Sequence, residues 1–112
     1  MRYMLLLWGD EAAEAALSDA ERRAIVGEHM QFVAELREDG QLVDSDPLEP
    51  SSTAAVVRQD GSVSDGPFIE TKEQLGGYYT VECADRDEAI ALARRMPASP
   101  GLVVEVRPLA AM

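Results

Sequence analysis

At 112 residues the chain has room for one domain and little more. Hydrophobic residues make up 46% and charged residues 28%, enough apolar material for a core, which excludes disorder throughout. The net charge is −11, with 12 acids against 4 bases in residues 1–49. Such a surface repels phosphate backbones and anionic headgroups, so neither nucleic acid nor a membrane is an expected partner.

Residues 2–8, RYMLLLW, are apolar at both alternating sets of positions, the pattern of a strand buried on both sides near the middle of a sheet. The run is too short for a signal peptide or a membrane span, and a cytoplasmic location follows as the default. Residues 9–17 read as a loop or an irregular helical turn. Ser18 and Glu21 have the spacing of a capping box, and Ile25, His29, Phe32, Val33 and Leu36 form one face of the helix they open. Gly40 supplies its left-handed exit.

A short strand is predicted at 41–44, before Pro47 and Pro50 break regularity. A second, at 53–59, meets a return strand at 62–64 across the Asp60-Gly61 turn. Residues 65–77 read as a polar loop and 78–83 as a strand. Asp85 caps a second helix with Ala89, Leu92, Ala93 and Met96 inside and Pro97 at its end, and 102–107 form the last strand.

The order strand, helix, strands, strand, helix, strand predicts one α+β domain over 1–112. It is a ferredoxin-like sandwich, an antiparallel sheet with two helices on one face. The other face needs a cover, and a second copy packing sheet to sheet supplies it, so a homodimer is expected.

The segment Asp65–Tyr79, DGPFIETKEQLGGYY, resembles the motif that names the DGPF group of the YCII-related family. The N-terminal RYMLLLWGDE, the C-terminal VEVRP and the segment Asp85–Arg95, DRDEAIALARR, are similar to the same family, so the resemblance covers nearly the whole chain. It implies a ferredoxin-like fold and a dimeric α/β-barrel assembly. It also implies a histidine–aspartate pair as the active-site candidate. One member of the family is a dehydrochlorinase acting on a chlorinated hydroxyquinol, and DGPF-type members often neighbour genes for extracytoplasmic-function sigma factors. The loop Asp44–Ser52, DSDPLEPSS, is acidic and generic and carries no substrate signal.

His29 is the only histidine, and a side chain that titrates near neutrality suits a general acid or base. Asp65 is the expected partner that would fix its tautomer. The alternative is a structural histidine bonded to a backbone carbonyl. Phe68, Glu70, Lys72 and Tyr79 are the expected contacts to a small-molecule ligand. Asp65 to Phe68 also makes sense as a turn with an apolar anchor, and Glu70 with Lys72 as a solvated charge pair. No metal is expected, because one histidine with scattered carboxylates shows no ligand spacing. Gly76-Gly77 lacks the rest of a phosphate loop, and no flavin, haem or nicotinamide motif occurs, so no cofactor is expected. Cys83 lies among acids that raise a thiol pKa, which makes it inert.

Two functions follow. One is a cofactor-independent enzyme performing elimination, isomerisation or proton transfer, recognisable by a cleft at His29. The other is a non-catalytic binding or interaction module linked to sigma-factor regulation, recognisable by an exposed acidic patch at Asp10, Glu11, Glu14, Asp19 and Glu21 with no cleft beneath.

Overall fold

A computed structural model describes residues 1–111. Strand β1 (Arg2–Asp10) runs straight into the short helix α1 (Glu11–Ala15). Helix α2 (Asp19–Glu38), β2 (Leu42–Pro47), a 3-10 turn at Ser51–Thr53, β3 (Ala55–Val57) and β4 (Val63–Asp65) follow. The chain then continues through β5 (Glu73–Glu82), α3 (Arg86–Arg94) and β6 (Val103–Pro108). The fold is mixed α+β, as expected. Its main sheet is antiparallel with the strand order β2-β5-β1-β6, and β3 and β4 pair separately as a two-stranded ribbon.

The run RYMLLLW lands where its pattern predicts, inside the sheet with a neighbour on each side. Tyr3 pairs with Val81 and Leu5 with Tyr79, and all four are buried against Phe32 and Leu36 of α2 and Ala89 and Leu92 of α3. Both long helices therefore cover one face of the sheet. Leu5, Leu36 and Val81 are wholly enclosed, each contributing roughly 1.5–3 kcal/mol by leaving water. Met4, Leu6 and Trp8 alternate onto the opposite face and are only half-buried there. The Trp8 indole N–H donates to Glu105 at 3.1 Å on that face.

The capping box forms as the spacing predicts. The Ser18 hydroxyl accepts from the Glu21 N–H at 3.1 Å, and the Glu21 carboxylate accepts from the Ser18 N–H at 2.9 Å. Gly40 leaves α2 at φ 73°, and Asp85 caps α3 through the Glu88 N–H at 2.9 Å. The Asp60-Gly61 turn joins β3 to β4, with Gly61 at φ 89°.

Several boundaries differ from the pattern-based expectation, β3 among them, which is shorter than the expected 53–59. Residues 9 and 10 extend β1, and Asp10 caps α1 by accepting from the Ala13 N–H at 3.1 Å, so the stretch read as a loop or an irregular helical turn is a strand end followed by a short helix. Strand β5 begins at Glu73 rather than Tyr78, because Glu73, Gln74 and Leu75 pair with Asp10, Gly9 and Trp8. A register shift at Leu7/Trp8 leaves Gly76 as the extra residue of a bulge, which glycine tolerates well. Strand β2 extends through Pro47, whose missing N–H costs nothing on an edge strand.

Cys83 is buried, and its thiol is pushed up first by burial and then by Glu88. No helix among the described residues is long and apolar enough to cross a membrane.

Candidate functional site

A cleft of about 390 Å³ opens between α2 and the β2–β5 side of the sheet. That volume lies in the roughly 300–1,000 Å³ range of small-molecule sites. Helix α2 lines it with Val26, His29, Met30, Val33 and Arg37. The sheet contributes Leu7, Ser45, Asp46, Pro47 and the run from Gly76 to Tyr79. Register explains the opening. Gly77 pairs with Leu7, two residues along β5 from Tyr79, so it belongs to the helix-covered face yet carries no side chain to fill it.

His29 sits half-buried in this cleft, and its Nδ1 lies 2.6 Å from the Tyr79 hydroxyl. The His29 and Tyr79 rings are 5.9 Å apart, and Phe32, one turn along α2, packs against Tyr79 at 5.6 Å. Burial lowers the His29 pKa, with Glu28 opposing it, so the imidazole is biased toward neutrality. Burial raises the Tyr79 pKa, and Ser45, its cross-strand partner on β2, works the other way. Tyr78 bonds outward instead, donating to Asp44 at 2.9 Å and Asp46 at 3.4 Å, which pushes its pKa up to about 12. Both tyrosines therefore stay protonated at neutral pH.

Of the residues singled out in the sequence, His29 and Tyr79 meet in the cleft. Asp65 does not join them within the chain. It is exposed on β4, opposite Ala55 in the ribbon, and that ribbon is not part of the main sheet. The pairing of His29 with Asp65 is therefore replaced by a pairing with Tyr79. Phe68 is 74% exposed on the segment between β4 and β5. Glu70 and Lys72 line a separate depression of about 360 Å³ with Asp10, Glu11 and Ser51. The Lys72 ammonium stands 3.7 Å from the Asp10 carboxylate rather than pairing with Glu70.

Sequence reasoning passed over Arg37, Ser45, Asp46 and Gly77. The available signals were the i, i+4, i+8 spacing of His29, Val33 and Arg37, and a glycine pair embedded in a strand pattern. A larger groove of about 680 Å³ runs between α3 and β6, but its only titratable side chains are Arg86 and Arg94, which offer no general acid or base at neutral pH.

Of the five acids in the patch of the alternative reading, Asp19 and Glu21 are exposed in the first turn of α2, whereas the other three are engaged within the chain. Asp10 caps α1 and pairs with Lys72, and Glu11 accepts from both the N–H and the hydroxyl of Ser51 at 2.7 and 2.5 Å. Glu14 is half-buried over Gly9. Among the described residues, no group of three or more histidine, cysteine, aspartate or glutamate side chains is placed to hold a metal ion.

Comparison with known proteins gives two findings. The family model described as the YCII-related domain matches residues 1–112. An uncharacterised protein of Rhizobium meliloti (strain 1021) is 38% identical over 115 residues, covering 98% of this chain and 93% of the relative.

Proposed function

Because the chain belongs to the YCII-related family, we propose that it is a cofactor-independent acid/base enzyme acting on a small organic molecule held in the cleft at His29. The observation that carries this reading is the 2.6 Å contact between His29 Nδ1 and the Tyr79 hydroxyl. With Nδ1 engaged, Nε2 is the ring nitrogen left to a cleft occupant.

In the working tautomer Nδ1–H donates to the Tyr79 oxygen and Nε2 carries the lone pair. Nε2 takes a proton from an activated C–H of the substrate. The electron pair released either expels a leaving group or delocalises onto an adjacent carbonyl. The imidazolium then formed keeps its Nδ1–H bond to Tyr79 and returns the proton to substrate or leaving group. A histidine biased toward neutrality is ready as a base at pH 7. Tyr79 takes the orienting role that the family resemblance gives to an aspartate, and Asp65 stands outside this reading of one chain.

The reading extends to assembly and subgroup. The strand order β2-β5-β1-β6 with α2 and α3 on one face supports a ferredoxin-like fold. The half-buried Met4, Leu6 and Trp8 on the other face, with Val57 and Val63 exposed on the ribbon, support a homodimer packed as a dimeric α/β barrel. The segment Asp65–Tyr79 supports the DGPF group within the family.

The test is solvent-deuterium incorporation into a panel of cyclic ketones, phenols and unsaturated lactones, each with and without a carboxylate side arm, followed by NMR for the wild type and His29→Gln. Exchange by the wild type that falls at least a hundredfold in the variant supports the reading. Exchange that survives the substitution contradicts it.

A further inference from the structure

The cleft has a polarity along its length. His29, Val33 and Arg37 follow at steps of four on one face of α2, so Arg37 stands two turns, about 12 Å along the axis, from His29. Helical side chains lean toward the N-terminus, which carries the guanidinium back toward the imidazole. On the far side of His29 from Arg37 the helix contributes Val26 and the sheet contributes Gly77, while Met30 stands beside His29; Val26 and Met30 are both exposed apolar side chains.

Arg37 has no carboxylate within 4 Å among the described residues, although the chain holds 21 acids. The one acid in the lining, Asp46, accepts from Tyr78 at 3.4 Å. An uncommitted guanidinium at one end of an apolar cleft presents a fork that matches a carboxylate.

From this arrangement we infer that the ligand is a slender, largely apolar monocarboxylate, its acid on Arg37, its apolar body over Gly77 and its reacting carbon between them at His29. The inference rests on the reading of the cleft as a ligand site. The carboxylate is an anchor remote from the reacting bond, and Arg37 is a specificity-determining residue.

His29 is the only histidine, so its imidazole NMR signals report occupancy of the cleft without interference. The probes are 3-phenylpropanoate, 3-phenylpropanamide and 3-phenylpropylamine, titrated into the wild type, Arg37→Gln and Arg37→Lys. The expected result is a saturable shift of the His29 signals by the acid, at least about tenfold tighter than by the amide or the amine. Arg37→Gln should erase that preference, and Arg37→Lys should keep part of it. Arg37 is exposed, so both variants retain the fold. Equal affinities for the three probes, preference for the amine, an acid preference that survives Arg37→Gln, or no shift with any probe overturns the inference. The readout is binding alone, so a wrong ligand class is distinguished from a non-catalytic His29, which only the deuterium exchange assay addresses.

Discussion

Replacing Tyr79 by phenylalanine removes one oxygen and little else. The ring is 3% exposed and packed against Phe32 at 5.6 Å, and phenylalanine keeps that contact. What is lost is the 2.6 Å bond to His29 Nδ1. A hydrogen bond of this kind contributes about 1 kcal/mol net, and leaving a half-buried ring nitrogen without its partner brings the total to about 1–2 kcal/mol. For a chain of this size the melting temperature falls by about 4 °C per kcal/mol, so Tyr79→Phe should melt roughly 4–8 °C below the wild type. Tyr79→Ala, which also empties the core beside Phe32, should lose about 3–5 kcal/mol. Calorimetric melts at pH 7.5 measure both. The same variant reports on chemistry through the His29 titration. If Nδ1–H donates to the tyrosine oxygen, the bond strengthens when the ring is charged. Tyr79→Phe then moves the His29 pKa further down. A phenylalanine variant as stable as the wild type, with an unchanged His29 titration, would refute the pairing.

The pH dependence of stability has a defined sign. His29 titrates below its ordinary value of 6.5 in the folded chain, so the unfolded chain binds more protons just below that value. Its contribution is fully present above about pH 6.5 and is lost as the pH falls toward the folded pKa, a slope that His29→Gln should flatten in denaturant titrations. Glu14 behaves in the opposite sense. Burial first, then Glu11 and Asp10, raise its pKa, so its charged form is penalised as the pH rises above 4.5. Glu14→Gln should therefore stabilise the protein at pH 7 and lose that advantage in acid, which urea midpoints at the two pH values will show. Gly101 holds φ 67°, and an added Cβ would stand 2.9 Å from the Asp10 Cβ, whereas Gly40 at φ 73° has open space. Gly40→Ala should cost about 1 kcal/mol from the left-handed backbone alone. Gly101→Ala should cost more, because it also displaces the cap of α1; thermal melts of the two variants make the comparison.

Much of the fold is legible along the chain because its signals are local. Ser18 with Glu21, Asp85 with Glu88, Gly40 and Asp60-Gly61 each act within four residues, and each forms as read. The doubly apolar RYMLLLW likewise identifies an inner strand by itself. The start of β5 is hidden because Gly76 and Gly77 look like the end of a loop, and only the pairing of Glu73–Leu75 with β1 makes that stretch a strand.

The site is half legible for the same reason. His29 follows from the helical face, but its partner depends on which alternate residue of β5 faces α2, and that is settled by the register of Leu5 against Tyr79. Asp65 stands out in the sequence motif, yet its ribbon is not hydrogen-bonded into the main sheet. Arg37 is signalled only by its i+8 spacing from His29 and by its place as the basic residue in the last turn of α2, neither of which says that it faces a cleft.

The most direct test of the acid/base reading is the tautomer of His29, measured from the ¹⁵N shifts of its two ring nitrogens in the neutral wild-type protein. The account predicts a protonated Nδ1 bonded to Tyr79 and an unprotonated Nε2 facing the cleft. A proton resident on Nε2, with Nδ1 accepting from Tyr79, would leave the cleft without its base and contradict the proposed function.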